Sequence, residues 1–338
     1  MRILQIANYS QGKGGISVQV ELLQTKLRED GIQCDIISTK GTLSHRARAI
    51  CRLLVIGRKY DIFHIHACSD RGFFPAVVGI TAGRLLHKRT VLTYHGGGAE
   101  SFFKKHTKLV RYFLTRTNAN IALSGFIGRV FNEYDLPYTI IPNIIELDGN
   151  HFRKREAINP DFISTRSLVE TYNIECTLKA FQIVQEEYPE ATLTLLGDGI
   201  LRKHLEDFVQ ETGLRNVHFT GMVKNSEIYY YLDRADIMVS SSRADNMPVS
   251  ILEGFNAGLL VIASEVGGIP YMIEDGKNGL LFKNDDAAEM ADKMLFAVRD
   301  QENSINMIES AYQSLIKYTW KESKDRLIQI YNNGNVTV

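Results

Sequence analysis

The segment Ser240-Ser241-Ser242-Arg243-Ala244-Asp245-Asn246-Met247-Pro248-Val249-Ser250-Ile251-Leu252-Glu253-Gly254 is the most informative part of the chain. The apolar run 237–242 predicts a β-strand that ends at the serines. Pro248 suits the first turn of a helix, where its missing N–H would have had no partner. The segment therefore predicts a strand, a loop that carries Asp245, and a helix that begins near Val249.

Strand-like and helix-like segments alternate along almost the whole chain. The strand candidates are 2–7, 34–39, 62–67, 90–95, 120–124 and 138–143 in the first half, and 161–165, 192–197, 217–221, 237–242, 259–264 and 279–282 in the second. Segments between them have helical spacing, for example 16–30, 74–87 and 126–134. Two such series predict an α/β protein of two doubly wound, Rossmann-like domains. Ligands of parallel sheets bind beyond the carboxyl ends of the strands, so we expect the site in a cleft where the domains face each other.

We predict three segments in the domain organisation. Residues 1–150 form the first domain, residues 151–318 form the second, and the polar stretch 146–160 links them. Residues 319–338 form a helix that packs back on the first domain. No apolar run reaches the roughly 18 residues that a membrane span needs. The N-terminus shows a strand pattern instead of a signal peptide, so we expect a cytoplasmic protein.

Composition excludes several classes of protein and leaves one open question. The chain has 338 residues, of which 44% are hydrophobic and 23% charged, and its four cysteines lie far apart. These values exclude a disordered chain, a collagen-like chain and a small disulfide-stapled scaffold. Residues 1–150 carry 20 basic and 11 acidic side chains, and the remainder carries 19 and 28. The asymmetry is either chance variation or a sign that the first domain faces an anionic partner.

Two basic stretches in the first domain bear on that partner. Residues 45–59 and 102–116 hold clustered Lys and Arg among apolar side chains, and Lys104, Lys108 and Arg111 would share one helical face beside two phenylalanines. Such stretches are either solvated helix faces or a surface for an anionic membrane that carries a polyprenyl-linked acceptor. On the second interpretation the protein lies at the inner face of the membrane. Nothing in the pattern indicates a nucleic-acid partner.

Two glycine loops in the first half are candidates for ligand binding. Gln11-Gly12-Lys13-Gly14-Gly15-Ile16-Ser17 follows the first strand and opens a helix, whose N-terminal N–H groups can bind an anion. It is neither G-x-G-x-x-G nor a Walker A loop, which disfavours dinucleotides and ATP. His95 ends another strand in Thr93-Tyr94-His95-Gly96-Gly97-Gly98 and is placed to contact a substrate. His64 and His66 alternate along strand 62–67 and are either inward-facing, hydrogen-bonded residues or functional ones.

The second half offers carboxylates around a helix N-terminus. Asp245, the helix amides and Glu253 follow one another, which matches a ligand with a sugar, a diphosphate and a ribose. A structural Asp and a solvated Glu are the alternative. The turns Leu195-Leu196-Gly197-Asp198-Gly199 and Val266-Gly267-Gly268-Ile269-Pro270 would let backbone approach a nucleotide, although each is weak evidence by itself.

Together these residues resemble the retaining GT-B glycosyltransferases of glycosyltransferase family 4, over essentially the whole chain. The pieces that carry the resemblance are Gly14-Gly15, His95-Gly96, Asn143, Gly197-Asp198-Gly199, Asn216-Val217-His218-Phe219-Thr220-Gly221, the Asp245 to Glu253 segment and Gly267-Gly268-Ile269-Pro270. The family has two acidic residues separated by seven. The spacing is kept here, but the first of the two is Asp245 instead of Glu.

The resemblance implies a nucleotide-sugar donor, UDP- or GDP-linked, in the second domain and an acceptor in the first. It implies catalytic roles for His95, Arg166 and Asp245, with His95 near the transferred sugar. Ribose would bind Glu253, and the diphosphate would lie near Gly14 and Gly15. The remaining donor-binding residues are Gly197 near the nucleotide, Met222 and Val223 near the base, and Asn246, Met247, Pro248, Val249 and Ser250 around the sugar and phosphates. The family works without a metal or cofactor.

One departure from the family pattern concerns the leaving diphosphate. The family usually has an Arg followed about five residues later by Lys-Gly, and both serve the diphosphate. Arg166 fits the first, but the run that follows it, 168–173, contains no Lys. A missing cation removes a charge-assisted contact where negative charge develops. Lys13 and Arg243 are the nearest substitutes, and a subset of the family shares this pattern of Arg without Lys.

We therefore expect an enzyme that transfers a sugar from a nucleotide-sugar to a glycan or lipid-linked acceptor with retention, in cell-surface polysaccharide synthesis. The first alternative is a degenerate relative that binds a nucleotide-sugar or glycan without turnover. A Rossmann-type oxidoreductase is disfavoured because no strand is followed by the dinucleotide fingerprint. A GT-B epimerase or phosphorylase is a minor alternative within the resemblance.

Overall fold

The computed structural model describes residues 1–12, 14–147 and 151–334. The chain folds into two compact units. The first unit runs from Met1 to Glu146 and takes up the chain again from Lys317, and the second runs from Leu147 to Ile316. The predicted boundary at residue 150, and Lys13, lie outside the described residues.

The elements alternate as the sequence patterns predict. The strands are β1 (Arg2–Ala7), β2 (Gln33–Ser38), β3 (Ile62–Ala67), β4 (Arg89–Tyr94), β5 (Ala119–Ala122), β6 (Thr139–Ile140), β7 (Asp161–Ser164), β8 (Thr192–Leu196), β9 (Val217–Gly221), β10 (Ile237–Ser240), β11 (Leu260–Ser264) and β12 (Leu280–Phe282). The helices are α1 (Gly15–Glu29), α2 (Leu43–Ile56), α3 (Phe74–Leu85), α4 (Ala99–Lys105), α5 (Thr107–Leu114), α6 (Gly125–Glu133), α7 (Ile174–Glu187), α8 (Arg202–Thr212), α9 (Ile228–Leu232), α10 (Val249–Asn256), α11 (Ala287–Arg299), α12 (Gln301–Ser314) and α13 (Trp320–Asn333).

Each unit contains one six-stranded parallel sheet, so the predicted α/β class is confirmed. The strand order is β2-β1-β3-β4-β5-β6 in the first and β12-β11-β10-β7-β8-β9 in the second. The second order is that of a Rossmann sheet. The predicted strand 138–143 is wrong in length, because β6 ends at Ile140. Pro142 has no N–H to donate to the ladder, which limits how far a strand can continue there.

Both faces of the first sheet are covered, and the side-chain alternation of the strands decides which residues meet which helices. Ile3 and Val91 pack in one cluster with residues of α1 and α13, such as Leu27 and Tyr331. Their neighbours along the strands, such as Leu4, belong to the cluster on the opposite face, which includes residues of α3. Since strand residues alternate between faces, the face that packs on α1 and α13 is fixed along each strand.

The second unit is held at its start by a buried ion pair. The guanidinium of Arg155, which is 4% exposed, donates to Asp236 Oδ1 at 3.2 Å, to the carbonyl of Ala257 at 2.6 Å and to that of Ala235 at 2.8 Å. The other oxygen of Asp236 accepts from the Asn159 N–H at 2.8 Å. The prediction that 146–160 is a linker is therefore wrong for its later part, because these contacts fix residues 155–159 in the second unit.

The basic stretches adopt helices that differ from the prediction in one respect. At His106 the backbone leaves helical geometry (φ −123°, ψ 34°), so Lys104 lies on α4 and Lys108 on α5. The predicted single basic face is therefore wrong, and the adjacent Phe102 and Phe103 are buried. By contrast, α2 is largely exposed, with Leu43 and Val55 at 84% and 71%. Among the described residues, no helix has the length and apolar character to cross a membrane.

We expect Asp236→Asn to lower the free energy of unfolding by about 3–5 kcal/mol, because the amide would leave the buried Arg155 charge without its counter-ion. Urea unfolding followed by far-UV circular dichroism measures the change. The matched control is Glu187→Gln, which breaks the exposed pair with Arg299 and should cost less than about 1 kcal/mol. Equal, small losses in the two variants would contradict the structural role of the buried pair.

Candidate functional site

In the second sheet, the strand order reverses between β7 and β10. Loops that leave neighbouring strands at such a reversal diverge to opposite sides and open a crevice at the carboxyl ends of the strands. Arg166 follows β7 and Asp245 follows β10, so the topology brings two residues together that are far apart in sequence. The pairing of β7 with β10 is parallel and direct, with Ile163 opposite Met238.

Arg166 is the centre of this cluster. Its side chain is 9% exposed and donates to the carboxylate of Asp245, to Ser250 Oγ at 3.0 Å and to Ser242 Oγ at 3.2 Å. Its guanidinium lies over the Tyr172 ring, 4.1 Å from the centroid. The buried Nε has no hydrogen-bond partner among the described residues. A cation in this position is well paired and keeps one donor without a partner.

Tyr172 was not predicted to belong to the site. It lies six residues after Arg166, near the place where the family usually has its Lys, and it contributes an aromatic face instead of a second positive charge. Cation–π contact with a buried guanidinium is favourable by roughly 2 kcal/mol when desolvated. The run 168–173 held the signal, but an aromatic ring there could equally have been core.

Arg243 does not join Arg166. Its Nε donates to Asp285 Oδ1 at 2.7 Å, and its Nη1 donates to both the carboxylate and the carbonyl of Glu170. The acidic partners raise the pKa of the Arg243 guanidinium, which is partly exposed. The suggestion that Arg243 replaces the missing Lys is therefore not supported by its contacts.

The loop between β10 and α10 is shaped by its own backbone. The Asn246 N–H donates to Asp245 Oδ1 at 2.8 Å, and the Gly268 N–H donates to the Asp245 carbonyl at 3.1 Å. A Cβ on Gly268 would lie 1.8 Å from the Asn246 carbonyl oxygen, so only glycine fits there. The Gly267-Gly268 turn thus holds the loop that carries Asp245. Asn246, Met247 and Pro248 are buried in this loop.

Helix α10 supplies the second carboxylate. It begins at Val249 after the extended Pro248, and the N–H groups of its first turn are those that a helix leaves for an outside acceptor. Glu253 is partly buried one turn in. Burial raises the pKa of its carboxyl to about 7, against the opposing effect of the Arg166 charge. A carboxyl with this pKa can exchange between accepting and donating hydrogen bonds near neutral pH.

The two glycines after β8, Gly197 and Gly199, are required by close packing of backbone against backbone, which the sequence did not indicate. Gly197 has φ +150°, and a Cβ on it would lie 2.5 Å from the Arg166 carbonyl oxygen. A Cβ on Gly199 would lie 2.2 Å from the Leu168 carbonyl oxygen. The backbone that lies against these glycines belongs to the loop that carries Arg166. The Gly197 N–H also donates to the Gly221 carbonyl at 3.1 Å, which places the following residues, Met222 and Val223, near Gly197; Met222 is 63% exposed.

In the first unit, the glycine loop opens α1. Gly14 caps the helix with φ 82° and ψ 149°, a conformation that essentially only glycine adopts, and Gly15 is the first helical residue. Apart from its chain neighbours, no described residue has an atom within 4 Å of a Cβ placed on Gly14. The Gly12 N–H and the Tyr9 hydroxyl both donate to Glu21 Oε1, at 3.0 and 2.7 Å. These two contacts tie Tyr9 and Gly12 to α1 itself.

His95 lies beyond β4 in the first unit and contacts a second histidine. Its Nε2 is 3.1 Å from Nδ1 of His66, and burial lowers the pKa of His95 to about 4. Both histidines, together with Asn143 and Ser323, line a cavity of about 50 Å³ in this unit. His64 is instead fully hydrogen-bonded between Tyr331 and Thr93, at 2.7 and 2.8 Å, which is the inward-facing arrangement.

The structure thus gathers the predicted residues in two groups. Arg166, Asp245, Ser250 and Glu253 lie together in the second unit, and His95 lies with other polar residues in the first. Their roles toward a ligand stay predictions. Among residues 1–12, 14–147 and 151–334, no three His, Cys, Asp or Glu side chains are grouped so that they could hold a metal ion.

Comparison with known proteins gives two family matches. The model described as "Glycosyl transferases group 1" matches residues 150–314, and "Glycosyltransferase Family 4" matches residues 40–148. Sulfoquinovosyl transferase SQD2 of Arabidopsis thaliana is 29% identical over 157 residues, which cover 46% of the chain and 30% of that protein. The uncharacterized glycosyltransferase MJ1178 of Methanocaldococcus jannaschii is 22% identical over 98% of both chains. The structure of HepE from Anabaena in complex with UDP-glucose has a TM-score of 0.80 at 17% identity and covers 98% and 99% of the two chains.

We expect Glu253→Gln to stabilise the protein at neutral and alkaline pH. The folded state raises the carboxyl pKa from 4.5 to about 7, so between these values it binds more protons than the unfolded chain, and wild-type stability falls as pH rises. The amide has no such loss and should gain up to about 3 kcal/mol relative to wild type above pH 7. Urea unfolding at pH 4 and pH 8 checks this, with the exposed Glu265→Gln as control. If the stability gain of Glu253→Gln did not depend on pH, this result would contradict the raised pKa of the Glu253 carboxyl.

Proposed function

Because the chain belongs to glycosyltransferase family 4, the group 1 glycosyl transferases, we propose that it transfers a sugar from a nucleotide-sugar to a glycan or lipid-linked acceptor with retention of the anomeric configuration. The predicted GT-B fold class, with two Rossmann-like domains, is confirmed by the two sheets and by the structural likeness. The donor is UDP- or GDP-linked. That HepE has been solved with UDP-glucose supports the UDP alternative.

The observation that carries the proposal is the buried Arg166. A guanidinium that is held by Asp245, Ser242 and Ser250 cannot move far, so it forms a preorganised positive charge beside the first turn of α10. Cleavage of a nucleotide-sugar leaves negative charge on the departing diphosphate. Preorganised donors aimed at developing charge are often the largest contribution to catalysis. Arg166 and the α10 amides would supply them.

The other residues of the cluster would bind the ribose and the sugar of such a donor. Glu253 lies one turn into α10, where its carboxyl would bind the ribose hydroxyls, and Asp245 would contact the donor sugar. The bond between the anomeric carbon and the diphosphate oxygen breaks, the acceptor hydroxyl attacks from the face that the diphosphate leaves, and the proton of this hydroxyl passes to the departing diphosphate oxygen. We propose no covalent intermediate, because no side chain of the cluster is a strong nucleophile. Arg166 would do the charge neutralisation, so we also propose a reaction without metal or cofactor.

The acceptor side of the proposal rests on α2. Leu43 and Val55 are exposed large apolar side chains on this helix, and Arg48 and Arg52 are exposed as well. Apolar and basic side chains on one exposed helix are typical of an interface with anionic lipid. We propose that the first unit meets the inner face of the membrane, where a polyprenyl-linked acceptor of cell-surface polysaccharide synthesis would be presented.

A donor screen tests the proposed function. Thermal unfolding is followed with UDP, GDP, ADP, CDP and NAD, and donor turnover is then measured with the nucleotide-sugars of the base that binds. Ligand at about 100 times Kd adds roughly 2.7 kcal/mol of stability. Stabilisation by one nucleoside diphosphate, followed by release of that diphosphate in the presence of EDTA, is the expected result. Binding without turnover would indicate a degenerate relative, and preferential binding of NAD would overturn the proposal.

We expect Arg166→Lys to lower kcat by about 10²–10³-fold, because a lysine keeps the charge but loses the planar fork that reaches three oxygens. The matched control is Arg243→Lys, which alters an Arg on the same side of the sheet whose partners are Glu170 and Asp285. This control should retain kcat within about threefold. Steady-state release of the nucleoside diphosphate measures both, and a larger loss in Arg243→Lys would contradict our assignment of the diphosphate cation.

Replacing exposed basic residues of the α2 region should weaken membrane binding. The triple variant carries Arg48→Gln, Arg52→Gln and Arg58→Gln, and the control carries Lys203→Gln, Arg215→Gln and Lys224→Gln in the second unit. Each charge near an anionic surface contributes about 1 kcal/mol, so the first variant should bind roughly 100-fold more weakly. Sedimentation with vesicles of anionic and of neutral lipid measures the affinity. Equal binding by both variants would refute a role for α2.

A further inference from the structure

Polar side chains follow one another on the α1 and α13 face of the first sheet. Gln5 on β1 stands on the same face as Ile3, and His64 and His66 on β3 stand on the same face as Ile62. Thr93 and then His95 continue the face from Val91 on β4. The five polar residues therefore lie side by side across three neighbouring strands, from the middle of β1 and β3 to just beyond the carboxyl end of β4.

Gln5 has a fixed orientation. It is fully buried, and its Nε2 donates to the carbonyl oxygen of Val20 at 3.0 Å and contacts the Cys34 sulfur at 3.4 Å. A flipped amide would turn Oε1 toward that carbonyl oxygen, and two acceptors would then face each other without a proton between them. Gln5 Oε1 must therefore face the other way, toward His66.

The orientation of Gln5 decides which nitrogen of His66 carries the proton. Oε1 of Gln5 is 2.9 Å from His66 Nε2, and an amide oxygen can only accept. His66 Nε2 is therefore protonated. Burial lowers the pKa of His66 far below its ordinary value, so the ring is neutral and its Nδ1 is an acceptor.

The tautomer of His66 in turn determines the tautomer of His95. His66 Nδ1 lies 3.1 Å from His95 Nε2, so His95 must donate from Nε2. His95 is also neutral, because burial lowers its pKa to about 4. Its remaining nitrogen, Nδ1, is then an acceptor. No hydrogen-bond partner of this nitrogen is found among the described residues.

We propose that Gln5 and His66 are positioning residues that hold His95 in the Nε2–H tautomer, so that Nδ1 is presented to the substrate as a neutral hydrogen-bond acceptor. The ligand group that fits is a hydroxyl, which can donate to Nδ1. A phosphate or carboxylate oxygen does not fit, because it would face a lone pair instead of a proton. This inference rests on the proposed function for the statement that the hydroxyl belongs to a sugar.

Long-range ¹H–¹⁵N spectra of histidine-labelled protein test the proposal without any substrate. In the wild type we expect His95 with a protonated Nε2 and an unprotonated Nδ1 at pH 7, and His66 with the same tautomer. In Gln5→Leu, His66 loses its acceptor, so both rings should become mixtures of tautomers. The matched control is Tyr331→Phe, which removes a hydrogen bond from the adjacent His64 and should leave the His95 signals unchanged.

Kinetics provide the second measurement. Loss of one neutral hydrogen bond to the substrate corresponds to a decrease of roughly 2- to 10-fold in kcat/KM for Gln5→Leu, with little change for Tyr331→Phe. If Gln5→Leu fails to fold, Gln5→Met, which is unbranched and lacks the acceptor, replaces it.

The outcomes separate this proposal from the proposed function. A wild-type His95 protonated at Nδ1 overturns the tautomer assignment, and an unchanged His95 tautomer in both Gln5 variants overturns the role of Gln5. If both variants are unfolded, the wild-type spectrum still decides, because a His66 protonated only at Nδ1 could not donate to Gln5 Oε1 and would overturn the role of Gln5 as well. If the spectra agree with the proposal but no nucleotide-sugar is turned over, the proposed function fails and the positioning of His95 remains.

Discussion

The buried guanidinium of Arg166 is the constraint on which the rest of the second unit's site depends. A cation that is removed from water needs a counter-ion and hydrogen-bond acceptors, and the loss of the counter-ion costs several kcal/mol. Ser242 and Asp245 contact it from the loop after β10, Ser250 contacts it from α10, and Tyr172 covers the face of the guanidinium. These contacts connect segments that are separated by about 80 residues. The loops of the site are therefore shaped around one side chain.

The need to place Arg166 also explains several small residues around it. Gly197 and Gly199 lie where any Cβ would collide with the backbone from Arg166 to Leu168. Gly268 has the same relation to Asn246 in the facing loop. Glycine in such turns is usually interpreted as making room for a ligand. Here the room is taken by the protein's own chain, which positions the charged residue.

Most of the fold could be predicted from the sequence, because strands buried on both faces are continuous apolar runs. One error occurred where the structure depends on a partner that is distant in sequence. The polar residues 155–159 resemble a linker. Arg155 is nevertheless buried, because it pairs with Asp236, a residue 81 positions away in the sequence. The break at His106 and the early end of β6 are local features. The periodicity of apolar residues does not indicate where a helix or strand stops. For the candidate site, the carboxylates could be found from their spacing around the start of a helix, and Arg166 from the resemblance to the family. Tyr172 and Gln5 could not be found, since an aromatic or amide side chain in such places is ordinarily part of the core.

The return of the chain to the first unit has a consequence for the order in which the protein is made. Helix α13 covers the sheet face of Ile3 and Val91, but it leaves the ribosome only after the 170 residues from Leu147 to Ile316. Chains are synthesised at about 5–20 residues per second, so this face stays uncovered by α13 for on the order of ten seconds or more. The nascent first unit therefore carries an uncovered apolar surface while the second unit emerges. Its last helix completes the earliest sheet, so the half that begins first is finished last.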